Sequence, residues 1–255
     1  GVFDLEMAES DAPALLAVAD ESETLLLFSN YGRAFRLPLA KLNEASVRAK
    51  GQMLTDLLTF QADERIVAAL PANQDKYVVL VSQRGWVRRV RDGYLGPKML
   101  QGMSFHNIKE GGHLVSACWT PGDGDLFIAT RQGKAIRFIE SQVPTRGCLG
   151  LRTQIDDEVV AVAPAAESSG IFLLGDDGKG TIRLMSGFKA NKAPGAGGKV
   201  AMKTNNLIGA LSAGENDDIL AVSRLGKIIR FQAEEVPAKT GVVQGVNCMT
   251  LRASW

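Results

Sequence analysis

The chain has 255 residues, 45% of them apolar, with 29 Lys and Arg against 28 Asp and Glu for a net charge of +1. That apolar share fits a folded core and excludes a disordered tail, and the length suits one large all-β domain. Three cysteines, Cys118, Cys148 and Cys248, none near another in sequence, exclude a disulfide framework and read as small apolar residues, buried or half-buried.

In chain order the first element is GVFDLEM (1–7), a lone strand of a preceding or closing blade, followed by the apolar strand ALLAVA (14–19). A fourteen-residue unit then recurs five times: TLLLFSNYGRAFRL (24–37), YVVLVSQRGWVRRV (77–90), DLFIATRQGKAIRF (125–138), GIFLLGDDGKGTIRL (170–184, one residue longer) and DILAVSRLGKIIRF (218–231). Its turn glycines, Gly32, Gly85, Gly133, Gly178 and Gly226, are 53, 48, 45 and 48 residues apart, a period that signals a propeller-like array of strands. Each unit predicts a hairpin with Gly at a positive-φ turn position. The first arms are almost continuously apolar, as expected of strands covered on both faces. The second arms partly alternate with basic residues, which puts some of these on a wet face.

Each hairpin is followed by a loop and a third strand that usually starts after glycine: GQMLTDLLTF from Gly51, GMSFHNI from Gly102, GLRTQI from Gly150, GKVAMKT from Gly198 and GVNCMTL from Gly245. A fourth strand (RIVAAL, LVSACW, EVVAVAP, LIGALS) leads into the next hairpin. The prediction is one all-β domain over 1–255, a disc of about five four-stranded blades, with repeats near 14–60, 65–108, 113–155, 158–204 and 207–252.

Charge is sorted by position in the repeat. Connectors before the hairpins are acidic (Asp20, Glu21, Glu23; Asp63, Glu64; Asp123, Asp125; Asp156, Asp157, Glu158; Glu215, Asp217, Asp218). Loops after them are basic, with Lys41, Arg48 and Lys50; Arg91 and Lys98; Arg146 and Arg152; Lys189, Lys192, Lys199 and Lys203; Lys239 and Arg252. The hairpins add Arg33 and Arg36, Arg88 and Arg89, Lys134 and Arg137, Lys179 and Arg183, and Lys227 and Arg230. An ordinary solvated face explains any one of these cations. Recurrence in the same slots of five repeats fits a curved polyanion better, and duplex DNA is the expected partner, held by phosphate contacts without sequence readout. Bending it around a small disc costs of order 1–10 kcal/mol per 20–30 base pairs, which a row of repeated contacts offsets. The candidate DNA-binding residues are the ten hairpin cations with Arg48, Lys50, Arg146, Arg152, Lys189, Lys192, Lys199 and Lys239; which row faces DNA is left open by the pattern.

Catalysis finds no support in a Ser/His/Asp set or a facing carboxylate pair, and His106 and His113 lack partners at ligand spacing, so neither a metal nor a cofactor is expected. The glycine-rich stretch 189–199 is not a phosphate-cradling Gly-Lys-Ser/Thr loop but lets backbone amides approach phosphates. Tyr31, Tyr77, Tyr94, Trp86, Trp119 and Trp255 read mainly as packing residues. With no 18-residue apolar run and no signal peptide, the expected setting is cytoplasmic, without membrane contact. A peptide-binding propeller is the alternative class, although Trp-Asp and Gly-His blade signatures are missing; a propeller-fold hydrolase would need carboxylates or histidines converging on the channel.

Segments 32–60 (GRAFRLPLAKLNEASVRAKGQMLTDLLTF), 130–152 (TRQGKAIRFIESQV followed by TRGCLGLR) and 223–246 (SRLGKIIRFQAEEVP followed by VVQGV) resemble the carboxy-terminal domain of the DNA gyrase A subunit. The resemblance implies a six-bladed β-pinwheel whose blades exchange strands. It also implies a non-catalytic module of an ATP-dependent type II topoisomerase that wraps DNA on a basic outer rim to bias strand passage and supercoiling. The implied partners are the rest of that subunit, plus the ATPase subunit; the loop cations are the implied contacts. The family's gyrase A box, a glutamine, a basic pair and a glycine-lysine loop, is not found here; the chain starts just after its expected place, or the natural box has decayed. Five hairpins stand against the family's six, so five closed blades and an incomplete ring of six are both open. The topoisomerase IV A subunit carries a similar domain and is the nearest rival.

Overall fold

Burial on both faces explains the unbroken apolar sequence of the first four first arms. The computed structural model describes residues 2–4, 10–46 and 49–251. In chain order its strands are β1 (Val2–Asp4), β2 (Thr24–Ser29), β3 (Arg33–Pro38), β4 (Ile66–Pro71), β5 (Tyr77–Ser82), β6 (Trp86–Arg91), β7 (Met103–Ser104), β8 (Leu114–Thr120), β9 (Asp125–Thr130) and β10 (Lys134–Ile139). They continue with β11 (Cys148–Leu149), β12 (Val159–Ala165), β13 (Gly170–Gly175), β14 (Lys179–Leu184), β15 (Lys199–Val200), β16 (Leu207–Ala213), β17 (Asp218–Val222), β18 (Lys227–Gln232), β19 (Ala238–Lys239) and β20 (Val246–Asn247). Among the described residues the helices are short: one α-helical turn at Ile108–Gly111 and six 3-10 segments.

The five predicted hairpins are β2–β3, β5–β6, β9–β10, β13–β14 and β17–β18. Each turn is set by two local features. The glycine takes φ between 75° and 86°, a conformation that strains any residue with a Cβ. Three residues earlier, a hydroxyl accepts from the amide after the glycine: Ser29 from Arg33, Ser82 from Trp86, Thr130 from Lys134 and Ser223 from Lys227. The fourth hairpin has Gly175 at that place, and Asp177 takes over by accepting from the Lys179 amide.

Each sheet is built from two consecutive repeats. The inner strand is the first strand of the next repeat, ahead of that repeat's own hairpin: β4 on β2, β8 on β5, β12 on β9 and β16 on β13. The short outer strand comes from that next repeat too: β7 on β3, β11 on β6, β15 on β10, and β20 with the parallel β19 on β14. The fifth sheet takes β1, from the start of the chain, on β18, and is three-stranded, ordered β1-β18-β17. The strands therefore interlock the repeats, and the lone strand expected at the start is seated on the last hairpin.

The core lies between consecutive sheets. Val78 and Leu80 of β5 pack toward the first sheet, in a cluster with Leu26, Phe28 and Ala34. The alternate residues Val79 and Val81 pack toward the third, with Leu126, Ile128 and Ile136. The same division recurs in β9, where Phe127 and Ala129 join Ile171 and Leu173, and in β13, where Phe172 meets Ile219. With both faces buried, each such Val, Leu or Ile contributes about 1.5–3 kcal/mol of transfer free energy, which is why these arms carry no alternating polar residue. Backbone bonds join the sheets: the amides of Leu114, Val159 and Leu207 donate to the carbonyls of Asn30, Gln83 and Arg131 at 2.8, 2.9 and 2.7 Å.

Residues 150–155, expected as the third outer strand, form none, because the pairing there falls on β11 just ahead of Gly150, and two further predicted strands find no partner. Residues 51–60 were expected as an outer strand, but carry a 3-10 turn at Leu54–Asp56. Leu54, Leu57, Leu58 and Phe60 instead pack on Leu25, Leu27 and Phe35, covering the face of the first sheet opposite the one packed on the second sheet. Residues 14–19, expected as an inner strand, form none, and Leu15, Leu16 and Val18 are exposed. In both cases the apolar pattern is that of the strands, but no hairpin edge among the described residues pairs with it.

Candidate nucleic-acid interface

The hairpin arginines divide by register. Counted from the residue opposite the start of the first arm (Pro38, Arg91, Ile139, Leu184, Gln232), Arg36, Arg89, Arg137 and Arg230 stand two places earlier. The first three reach into the 3-10 loop of the next repeat. Arg36 Nη1 donates to the Leu95 carbonyl at 2.6 Å, Arg89 Nε to that of Val143 at 3.2 Å, and Arg137 Nη1 to those of Met185 and Phe188 at 2.9 and 3.0 Å. Arg137 also pairs with Asp125 at 2.7 Å and Glu167 at 2.9 Å, Arg89 lies 4.8 Å from the Tyr77 ring centre, and Arg230 pairs with Asp218. These guanidiniums clamp one repeat to the next, or the two arms of their own hairpin together. Arg137 and Arg183, at 4% and 5% exposure, are buried, so the structure withdraws them from a wet, DNA-facing row. Arg183 donates to the carbonyls of Ala201 and Gly187.

The other hairpin cations are mixed. Arg33 pairs with the buried Glu64 carboxylate, donates to the Gly102 carbonyl at 3.0 Å and lies over Phe35. Arg88 donates to the carbonyls of Phe105 and Thr145. Lys134 is half-buried and Lys179 exposed, while the Lys227 ammonium reaches the Thr250 carbonyl at 3.3 Å. The acidic connectors are partly structural too: Asp157 accepts from the Gln132 and Glu158 amides.

The loop cations are different. Lys50, Arg146, Arg152, Lys189, Lys192, Lys199 and Lys239 are all exposed; Arg48, like Arg252 and Trp255, lies outside the described residues. Lys199 and Lys239 sit in the outermost strands β15 and β19. Residues 189–199 lie along the outer edge of the third sheet, held by a bridge between Phe138 and Asn191, by Gln142 Nε2 donating to the Lys192 carbonyl at 2.7 Å and by the Gly195 amide donating to the Gly150 carbonyl at 2.8 Å. Arg152 joins them, its amide on the Ala196 carbonyl and its Nη2 3.3 Å from that of Gly195. Lys199 Nζ donates to the Lys189 carbonyl at 2.8 Å and stands 4.5 Å from the Phe188 ring centre. Partial burial lowers the Lys199 pKa, and the charges of Arg183, Lys189 and Arg137 lower it further. Residues 186–203 hold four lysines and no acid, so positive charge accumulates here without internal neutralisation.

The tryptophans and cysteines behave as packing residues. Trp119 donates to the Pro71 carbonyl at 2.7 Å, and Trp86 lies so close to Gly111 and Gly147 that a Cβ at either would meet it within 2.7 Å. Burial pushes the thiols of Cys118, Cys148 and Cys248 up in pKa. Sequence reasoning missed the division between clamping and exposed cations. The turn hydroxyls and the residue count from glycine to arginine were visible in the repeats, but the loop carbonyls that receive the guanidiniums carry no signal in residue type.

The family model described as DNA gyrase C-terminal domain, beta-propeller, matches residues 23–73, 124–166 and 217–253. The DNA gyrase A subunit of Mycobacterium bovis is 26% identical over 264 residues, covering 98% of this chain and 32% of that protein; that of Chlamydia pneumoniae is 27% identical over 265 residues, with the same coverages. The chain thus spans about a third of the length of these relatives. Among solved structures, the C-terminal domain of DNA topoisomerase IV superposes with a TM-score of 0.73 at 21% identity over 97% of this chain and 81% of that one. The DNA gyrase A C-terminal domain gives 0.73 at 17% identity over 95% and 87%. Matched over half its length by the family model, and along nearly all of it by gyrase A subunits, the chain belongs to the DNA gyrase C-terminal domain family of beta-propellers.

Proposed function

We propose that this domain binds duplex DNA without sequence preference along its outer edge and bends it, as a non-catalytic part of a cytoplasmic type II topoisomerase of the gyrase kind, acting with the remainder of the A subunit, plus an ATPase subunit. The observation that carries the reading is the exposed, acid-free cluster of Lys189, Lys192, Lys199 and Lys203 with Arg152 beside it, on a fold whose relatives are gyrase A subunits. Flexible ammonium groups and backbone amides suit phosphates, which need charge and donors but no fixed base geometry. The hairpin arginines act one step removed: by clamping repeats together they hold the outer loops at fixed spacing. In the sequence, Arg48, Lys50, Arg146 and Lys239 stand in the loops after the hairpins of other repeats. Reversing the charge of Lys189, Lys192 and Lys199 together is expected to weaken binding equally for unrelated duplexes and to lower the salt slope by about one for each phosphate no longer neutralised. A loss confined to one sequence would refute non-specific phosphate binding, and an unchanged slope would place the interface elsewhere.

A further inference from the structure

The repeat-to-repeat clamp is broken at one place. In the first three sheets the guanidinium two places before the base of the second arm enters a slot walled by the next repeat's 3-10 loop. In the third, Arg137 is received by Asp125 at the start of the first arm, by the Met185 and Phe188 carbonyls, and by Glu167 of the next connector. In the fourth sheet the pairing Gly170↔Leu184, Ile171↔Arg183, Phe172↔Ile182 puts Arg183 only one place before the base. Side chains alternate faces along a strand, so this shift turns Arg183 away and places Ile182 at the clamp position; Arg183 instead bonds the Ala201 and Gly187 carbonyls. Gly170 stands where the third sheet has Asp125.

The vacated slot is a cavity of about 680 Å³ between the fourth hairpin and the fifth repeat, lined by Gly170, Ile182, Leu184, Glu215, Ala233 and Val236 among others. Three of the four receiving groups have counterparts here, all but the Asp125 carboxylate. Ala233 and Val236 occupy the places of Met185 and Phe188: the Val236 amide bonds the Ala233 carbonyl as Phe188 bonds Met185, and the Ala233 amide bonds Asp217 as Met185 bonds Ser169. Glu215, two residues past the end of β16, occupies the place of Glu167, two past the end of β12. Ile182, Leu184 and Val236 give apolar walls suited to a methylene stem, and the lining residues Glu215 and Glu234 are exposed.

We propose that this cavity is a guanidinium-binding site that takes an arginine side chain of a partner protein, inserted where the other sheets use an arginine of their own. Glu215 and the Ala233 and Val236 carbonyls receive the guanidinium, a planar fork of donors that an ammonium does not match. The inference is independent of DNA binding and concerns a different part of the molecule.

The test is amide chemical-shift titration of the whole domain with end-blocked Gly-Arg-Gly, with blocked Gly-Gln-Gly and free arginine in parallel. The expected result is saturable shifts at Gly170, Glu215 and Val236 with blocked Gly-Arg-Gly and none with the glutamine peptide, at a Kd on the order of 1 mM, as befits one side chain. Glu215→Lys, at an exposed residue that leaves the fold intact, should weaken binding at least tenfold, and Ile182→Arg should abolish it by filling the slot from within. Shifts of the same size with the glutamine peptide, binding of free arginine alone, binding unaffected by Glu215→Lys, or no shifts at these amides would each overturn the proposal.

Discussion

Arg137→Leu and Arg230→Leu remove the same repeat position with opposite surroundings, and the difference between them measures the clamp. The Arg137 side chain is 5% exposed and pairs with Asp125, itself 16% exposed, whereas Arg230 is 64% exposed beside an Asp218 at 36%. Leucine at 137 leaves the Asp125 carboxylate without its counter-ion in a site with little water. It also removes the guanidinium from the carbonyls of Met185 and Phe188, which tie the third sheet to the fourth repeat. Glu167 is 75% exposed and is rehydrated at little cost. Breaking a buried pair costs about 3–5 kcal/mol, and the two carbonyl bonds lie within that range because water reaches part of the opened slot. The exposed Arg230 pair contributes about 0–1 kcal/mol. Urea unfolding of the two variants against the unmodified domain reads the difference from the midpoints at constant slope. Arg137→Leu is expected to lose at least about 2 kcal/mol more than Arg230→Leu. Equal losses, or a loss at 137 below about 1 kcal/mol, would refute the reading of these arginines as inter-repeat clamps.

Three further outcomes are expected. Gly133→Ala places a Cβ 2.2 Å from the Met202 carbonyl oxygen at φ +81°, against the clasp in which the Ala201 amide bonds the Gly133 carbonyl; it should cost about 2–4 kcal/mol in urea unfolding, while Gly209→Ala, with nothing within 4 Å, should be nearly neutral. The buried Glu140 carboxyl is pushed up in pKa by desolvation, opposed by the Thr120 hydroxyl and the Arg89 charge. A raised folded-state value means the folded form holds the proton more tightly, so this contribution is complete below the ordinary carboxylate value and is lost as pH rises through the folded value. Measured by thermal melts from neutral to mildly acidic pH, the unmodified domain should therefore gain on Glu140→Gln as pH falls, and a constant difference would contradict the assignment. Lys192→Glu should weaken DNA binding at low salt without moving the melting temperature, since its side chain is exposed.

Much of the fold was legible in residue order because burial on both faces demands unbroken apolar arms, and the hairpin turn demands glycine. What the sequence could not show was the choice of partner. GQMLTDLLTF and ALLAVA carry the same pattern as segments that became strands, yet a strand exists only where a hairpin edge receives it. Residues 51–60 covered a sheet face instead. The cations show the same limit. Arg137 and Lys192 look alike in a charge pattern, but one guanidinium is buried among four receiving groups and the other ammonium meets solvent. The longer spacing from Gly178 to Arg183 was visible from the outset; the strand register shows a hairpin of the same length as the others, in which Arg183 stands one place nearer the base and so on the opposite face, leaving a slot.

The central claim, a sequence-independent phosphate interface on the outer edge, is tested most directly by the affinity of the unmodified domain for two unrelated duplexes of about 40 base pairs, long enough to bend, across a range of salt concentrations. The expected result is the same affinity for both and a linear fall of log K with log salt, steep enough to represent several neutralised phosphates at about 0.9 for each. A flat salt dependence, or strong preference for one duplex, would contradict it.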